Sequence, residues 1–267
     1  MSGVLMKRIL ITNDDGIYSP GIREAYKAVR DLGEVLLIAP ASQKSGVGRS
    51  ISIFEPIRVS EVLVDGIRGY AVGGTPTDAV IIGIFAKMPS KPDLVISGFN
   101  IGENLSTESV TTSGTIGAAL EAATHGIPSV AISVEVREEA EKFDEIPKAG
   151  DLRVGKKFLR VLAKKILQEG LPEGVDLLNV NIPYDADDST EIRITRLARK
   201  VFNTSVEERR DPRGRPYYWI DGGPIKENSP GTDVHALYQE RCISVTPISL
   251  DATSKIDFRI LEEWLRG

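Results

Sequence analysis

Apolar residues in this chain come in short unbroken runs, separated by stretches with helical spacing. Residues 7–12 read as a first strand, and 20–31 as a helix opening at Pro20 and closing near Gly33. The run EVLLIAP at 34–40 is a second strand, followed by a polar loop over 41–50. Alternation over 51–60 and 68–73, around the turn pair Asp65-Gly66, predicts a hairpin-like excursion. GGTPTDAVIIGIFAKM then predicts a helix with Thr75 as N-cap, Pro76 at its first position and Asp78 in its first turn. A third buried strand falls at 92–100, and a helix at 113–126 carries Gly117, Ala118, Ala119, Ala122 and Ala123, small residues suited to close packing on a sheet. A strand at 127–134, a long amphipathic helix at 149–169 and a strand at 175–183 complete the series.

Fully apolar strands alternating with helices imply a parallel sheet covered on both faces, the doubly wound, Rossmann-like α/β class. Beyond it the pattern changes. DPRGRPYYWIDGG (211–223) is a hairpin signature, with Tyr217, Tyr218 and Trp219 after a Pro/Gly turn. CISVTPI is one more strand, and 254–266 reads as a terminal helix. The expected division is a core over 1–195 and a C-terminal hairpin arm, strand and helix over 196–267. Neither an internal repeat nor a low-complexity segment is visible.

Composition adds exclusions. With 267 residues, 41% hydrophobic and 27% charged, the chain is ordinary globular material. A net charge of -5 and a pI of 5.3, with no basic block, argue against a nucleic-acid polymer as main partner. No apolar run nears the ~20 residues that span a bilayer. Residues 1–5 lack a signal-peptide core, which leads us to expect a cytoplasmic protein. A single cysteine, Cys242, excludes a disulfide framework, and its alternating surroundings mark it as a packed strand residue. Of the two histidines, His125 precedes Gly126 and reads as a helix C-terminus, and His235 sits at a loop-to-helix entry. Two histidines cannot make a histidine-rich metal cage.

In doubly wound folds ligands lie beyond the carboxyl ends of the strands. There the sequence places Asn13, Asp14, Asp15 and Gly16, then the loop 41–50, then Ser97, Gly98, Phe99 and Asn100. These are hard oxygen donors, suited to Mg²⁺ or Mn²⁺ rather than zinc. Two readings of Asn13-Asp14-Asp15-Gly16 stand: a turn of four turn-forming residues, or adjacent carboxylates whose repulsion a divalent ion turns into coordination. Two also stand for Ser113-Gly114-Thr115: plain N-capping, or a helix N-terminus that binds phosphate. The loop Ser45-Gly46-Val47-Gly48-Arg49 is neither a Walker A motif nor a dinucleotide fingerprint. Arg49 is read as solvated by default.

The segments ILITNDDGIYSPGI, LIAPASQKSGVGRSIS, GGTPTDAV, DLVISGFNIGENL, SGTIGAALEA, DPRGRPYYWI and ISVTPI, in this order over about 7–250, resemble the SurE survival-protein family of metal-dependent phosphatases. The resemblance implies a Rossmann-like core and hydrolysis of nucleoside 5′-monophosphates, with 3′-monophosphates and polyphosphate as substrates of some members. It implies one divalent metal per subunit, Mg²⁺ or Mn²⁺, held by Asp14, Asp15, Ser45 and Asn100, with Asp14, Asp15 and Asn13 in catalysis. Asn13, Ser113, Gly114 and Thr115 would meet the substrate phosphate. It also implies a homodimer or homotetramer that exchanges C-terminal elements. Residues 101–112 depart from the family's usual approach to the Ser-Gly-Thr motif, which leaves the leaving-group preference open.

Two competing classes fit less well. A non-catalytic metal- or phosphate-binding signalling module of receiver type needs a phospho-accepting aspartate ending a central strand, where DLVISGFN ends in Ser, Gly and Asn. A haloacid-dehalogenase-type phosphatase needs two aspartates separated by one residue, and Asp14 and Asp15 are adjacent.

Overall fold

The computed structural model describes residues 6–136 and 152–267. Residues 1–5, and the first positions of the helix expected at 149–169, lie outside them. Six parallel strands form the centre of one nine-stranded sheet: β1 (Arg8–Thr12), β2 (Glu34–Pro40), β4 (Ile67–Val72), β5 (Leu94–Ile101), β6 (Ser129–Val134) and β7 (Leu177–Ile182). β3 (Val59–Val64) borders one edge antiparallel to β4. At the other, β11 (Ile243–Ile248) pairs antiparallel to β7 and carries the short β8 (Ile192–Ile194), giving the order β3-β4-β2-β1-β5-β6-β7-β11-β8. After β4 the chain returns past β2 and β1 to lay down β5 on the far side of β1. The strand order reverses between β1 and β5, and a ligand crevice opens at such a reversal.

Successive side chains on a strand face opposite ways, and both faces are dry. Ile9 and Ile11 pack with Ile22, Ala25 and Val29 of α1 (Pro20–Val29) and Leu159 and Ala163 of α5 (Arg153–Glu169). Leu10 and Ile38 face Ala79 and Val80 of α2 (Pro76–Ile82) and Ala118 and Ala122 of α4 (Gly114–Thr124). The expected start of α2 is present: Thr75 Oγ1 accepts from Asp78 N, and Asp78 Oδ2 accepts from Thr75 N. A single π-type turn, Gly83–Lys87, ends that segment.

Three expectations need correction. The first strand of the excursion begins at Val59, and 51–58 is irregular, because Ser52 spends its backbone N–H and its hydroxyl on Asp78 rather than on a neighbouring strand. Asp65 and Gly66, at φ 50° and 80°, make the tight turn between β3 and β4. The aromatic hairpin starts earlier than 211: β9 (Phe202–Arg210) and β10 (Pro216–Pro224) pair along their whole length, and Pro212 and Gly214 lie in the link between them. The last helix, α7 (Phe258–Arg266), which follows the short α6 (Asp233–Tyr238) and β11, is capped by Asp257 and so is shorter than 254–266. Sequence patterning also missed the one-turn-plus helix α3 (Ser106–Thr112), too polar (STESVTT) to show an apolar stripe.

Hairpin and last helix share a trait. Val206, Tyr218, Trp219 and Ile220 on the arm, and Ile260, Trp264 and Leu265 on α7, are exposed, and α7 buries no residue at all. No helix among the described residues is long and apolar enough to cross a membrane.

Candidate active site

The turn after β1 is built by Asn13. Its Oδ1 accepts from Gly16 N at 3.1 Å, and its Nδ2 donates to Gly16 O and to Ser19 Oγ, the N-cap of α1. With both ends of the amide committed, Asn13 is fully buried and does not line the cavity below. The structure thus places Asn13 beneath the turn, behind the residues that line the cavity. It folds the turn that presents Asp14 and Asp15.

Asp14 is buried against the start of α4. Thr115 Oγ1 donates to its Oδ1 at 2.5 Å, and the backbone N–H groups of Gly114 and Thr115 also point to it. A Cβ on Gly114 would stand 2.8 Å from Asp14 Cβ, so only glycine lets the helix start come this near. Burial pushes the Asp14 pKa up, and these hydrogen bonds oppose the shift. Gly114 and Thr115, expected at the phosphate, thus orient a carboxylate and lie behind the cavity wall. Ser113 is different. Its Oγ accepts from Ile116 N as the N-cap of α4, and the residue also lines the cavity.

Asp15 faces the next strand. Between Ser97 and Asn100 the register of β5 against β6 shifts by a bulge, where Gly98, at φ 137°, leaves 2.2 Å between a would-be Cβ and Ile132 O. A bulge re-aims the strand end, and here it brings Ile101 N to donate to Asp15 Oδ2 at 3.2 Å. Burial, and after it the Asp14 charge, pushes the Asp15 pKa from 3.8 up to about 7. Neither aspartate forms an ion pair among the described residues. Arg49, which with Lys44 supplies the positive charge of the nearby loop, is bound at 2.7 Å to the buried Glu121, so it is paired while still exposed.

Asp14, Asp15, Ser45, Asn100 and Ser113 line one cavity of about 600 Å³. Asn100 donates through Nδ2 to Gly102 O at 2.6 Å, which leaves its amide oxygen for a ligand. Oxygen donors around a buried and a half-buried carboxylate, neither in an ion pair among the described residues, fit a hard divalent cation. Among the described residues no group of three or more His, Cys, Asp or Glu gathers as a metal cage, so hydroxyl and amide oxygens would complete any coordination at the pair. Glu103, Asn104, Ser109 and Phe202 also line the cavity and were not anticipated. The backbone of Asn104 is gripped by two buried asparagines of β7: Asn181 Oδ1 accepts from Asn104 N, and the Nδ2 groups of Asn179 and Asn181 donate to Asn104 O. Two amides in an otherwise apolar parallel strand, LLNVNI, were the available signal.

A family model described as survival protein SurE matches residues 9–204. The chain is 60% identical over 259 residues to a protein of Methanococcoides burtonii named 5′-nucleotidase SurE, covering 97% of this chain and 99% of that one. A protein of the same name from Methanosarcina mazei is 57% identical over 268 residues, covering 99% of this chain and 100% of its own. The crystal structure of the SurE protein from Aquifex aeolicus matches with a TM-score of 0.78 at 34% identity, over 97% of this chain and 100% of that one.

Proposed function

The chain belongs to the survival protein SurE family, and on that premise we propose that it is a divalent-metal-dependent phosphomonoesterase hydrolysing nucleoside 5′-monophosphates to nucleoside and phosphate. The names of its relatives support the nucleotidase class. One observation of this chain carries the chemistry: two adjacent carboxylates, Asp14 buried and Asp15 half-buried, without an ion pair among the described residues, face a cavity at the strand-order reversal.

Asp14, Asp15, Ser45 and Asn100 are the residues that would hold one Mg²⁺ or Mn²⁺. When bound, such an ion supplies electrostatic stabilisation to the charge that spreads over the transferring phosphoryl group. The protein's own contributions are positional. Thr115 and the first amides of α4 fix Asp14, Ile101 N fixes Asp15, and Ser113 offers its hydroxyl to the phosphate. One of the aspartates takes the proton from the attacking water, since no histidine is among the cavity's lining residues.

A screen of purified protein over nucleoside 5′- and 3′-monophosphates, inorganic polyphosphate and ethyl phosphate, with Mg²⁺ or Mn²⁺, tests the reading. The expected result is phosphate release, fastest from the 5′-monophosphates. Nucleotide binding without turnover of any ester would leave the signalling-module reading in its place.

The exposed apolar rows of the arm and α7 support a second proposal, that 196–267 serves assembly into a homodimer or homotetramer. Light scattering at micromolar concentration should return a multiple of the 29.1 kDa chain. A monomer at that concentration removes the proposal.

A further inference from the structure

A second cavity, of about 420 Å³, adjoins the first and shares two of its walls, Glu103 and Phe202. Resting on the nucleotide reading, we propose that it is the leaving-group subsite: it receives the nucleoside as an uncharged, stacking, hydroxyl-bearing group and disfavours a polyanionic tail.

Size and continuity come first. The volume falls in the range of small-molecule sites, and a group joined to a phosphate beside Ser113 passes Glu103 and Phe202 to enter it. The lining then selects the chemistry. Phe202 and Tyr238 supply aromatic surface, on which any nucleobase can stack. Phe202 is held in place from behind, because Glu108 Oε2 accepts from both Val201 N, at 2.8 Å, and Phe202 N, at 3.2 Å. Glu103 accepts from the Tyr238 hydroxyl at 3.0 Å. An ionised carboxylate only accepts, so between the two cavities it suits the hydroxyls of a sugar.

Charge decides against a phosphate chain. Glu103, Glu135 and Asp185 stand against Lys226 and Arg241, three negative charges to two positive, a formal balance of -1. Arg241 is also occupied. Its guanidinium bonds Glu135 at 2.7 Å and Asp185 at 2.5 Å, and it lies 4.8 Å from the centre of the Tyr184 ring. The strength of those contacts shows in an Arg241 pKa raised far above its usual value, against burial, by Glu135 and Asp185. Lys226 lies over the Tyr238 ring at 5.8 Å. A polyphosphate tail would meet net negative charge with its strongest cation already neutralised.

The test uses Phe202→Leu and Tyr238→Leu, which keep apolar bulk in the small cluster both rings pack against and remove the flat surface, at Tyr238 together with the hydroxyl that donates to Glu103. Wild type and variants are compared on adenosine 5′-monophosphate, ethyl phosphate and inorganic tripolyphosphate. In each variant the ratio of kcat/KM for the nucleotide to that for ethyl phosphate should fall about tenfold, mostly through KM, the scale of losing one base–aromatic stack. Tripolyphosphate should move with ethyl phosphate. An unchanged ratio, equal losses on all three substrates, or tripolyphosphate tracking the nucleotide overturns the subsite. If wild-type protein cleaves ethyl phosphate but no nucleoside monophosphate, the nucleotide reading itself fails, and the subsite with it.

Discussion

Replacing Asp15 by asparagine should lower turnover at least about 10²-fold, the usual scale for losing one preorganised electrostatic group at a reacting centre. The substitution keeps the size of the side chain and an oxygen able to accept from Ile101 N, so the fold should survive. Stability supplies a second, independent readout in metal-stripped protein. Burial first, and Asp14 second, raise the Asp15 pKa from 3.8 to about 7. Between those values the folded chain keeps a proton that the unfolded chain has released. The favourable contribution is therefore complete below about pH 4 and is lost as pH rises through about 7. An amide at this position does not titrate and has no such dependence. The melting temperature of the Asp15→Asn variant should thus gain on wild type from pH 4 to 7, by a few degrees in all, and hold that lead above pH 7. Near wild-type turnover in the variant would place the chemistry elsewhere. A melting lead that shrinks with rising pH would mean that a cation already compensates Asp15.

Stripping the protein with a chelator should bring hydrolysis of any phosphate ester to background, and Mg²⁺ or Mn²⁺ should restore it. Asp14 and Asp15 have hydroxyl, amide and backbone N–H neighbours and, among the described residues, no ion pair. No described side chain plays the part of the cation. The same ions should raise the melting temperature of the stripped protein, because a ligand that binds only the folded state adds RT ln(1 + [L]/Kd), about 2.7 kcal/mol at a hundredfold excess over Kd. Full activity after exhaustive chelation would falsify the metal assignment. Loss of activity with no effect of added metal on melting would leave the metal acting on the substrate rather than on these residues.

The sheet was legible because its central strands are buried on both faces, and β-branched or apolar runs such as RILIT and EVLLIAP admit few other readings. The start of α2 was legible because capping is local: Thr75, Pro76 and Asp78 meet within four residues. Asp14 and Asp15 stood out because paired charges at the tip of such a strand demand a reason. Partner choice did not show. Asn13 is as suitable for a phosphate as for a turn, and only the closeness of Gly16 and Ser19 commits its amide. Thr115 points at Asp14 across 101 residues of chain, a pairing that no local pattern encodes. Glu103 and Phe202, which stand between the two cavities, come from segments about a hundred residues apart, and neither lies in a strongly periodic stretch. Contacts between neighbours in sequence were readable, and contacts between neighbours in space were not.

The grip on α3 has a consequence for synthesis on the ribosome. Asp14, Asp15, Ser45, Asn100 and Ser113 all emerge early, yet the segment leading to Ser113 is tied down only much later. Ser106, held at φ 68°, donates its N–H to the buried Asp233, whose other oxygen accepts from Ala198 N, and the first of these bonds spans 127 residues. A nascent chain can therefore gather these cavity-lining oxygens, and the hold of Asn179 and Asn181 on Asn104, well before Ser106 has its partner. The closing step waits for residue 233 to leave the exit tunnel, a contact of high sequence separation that is slow to form and cannot be hurried by local structure.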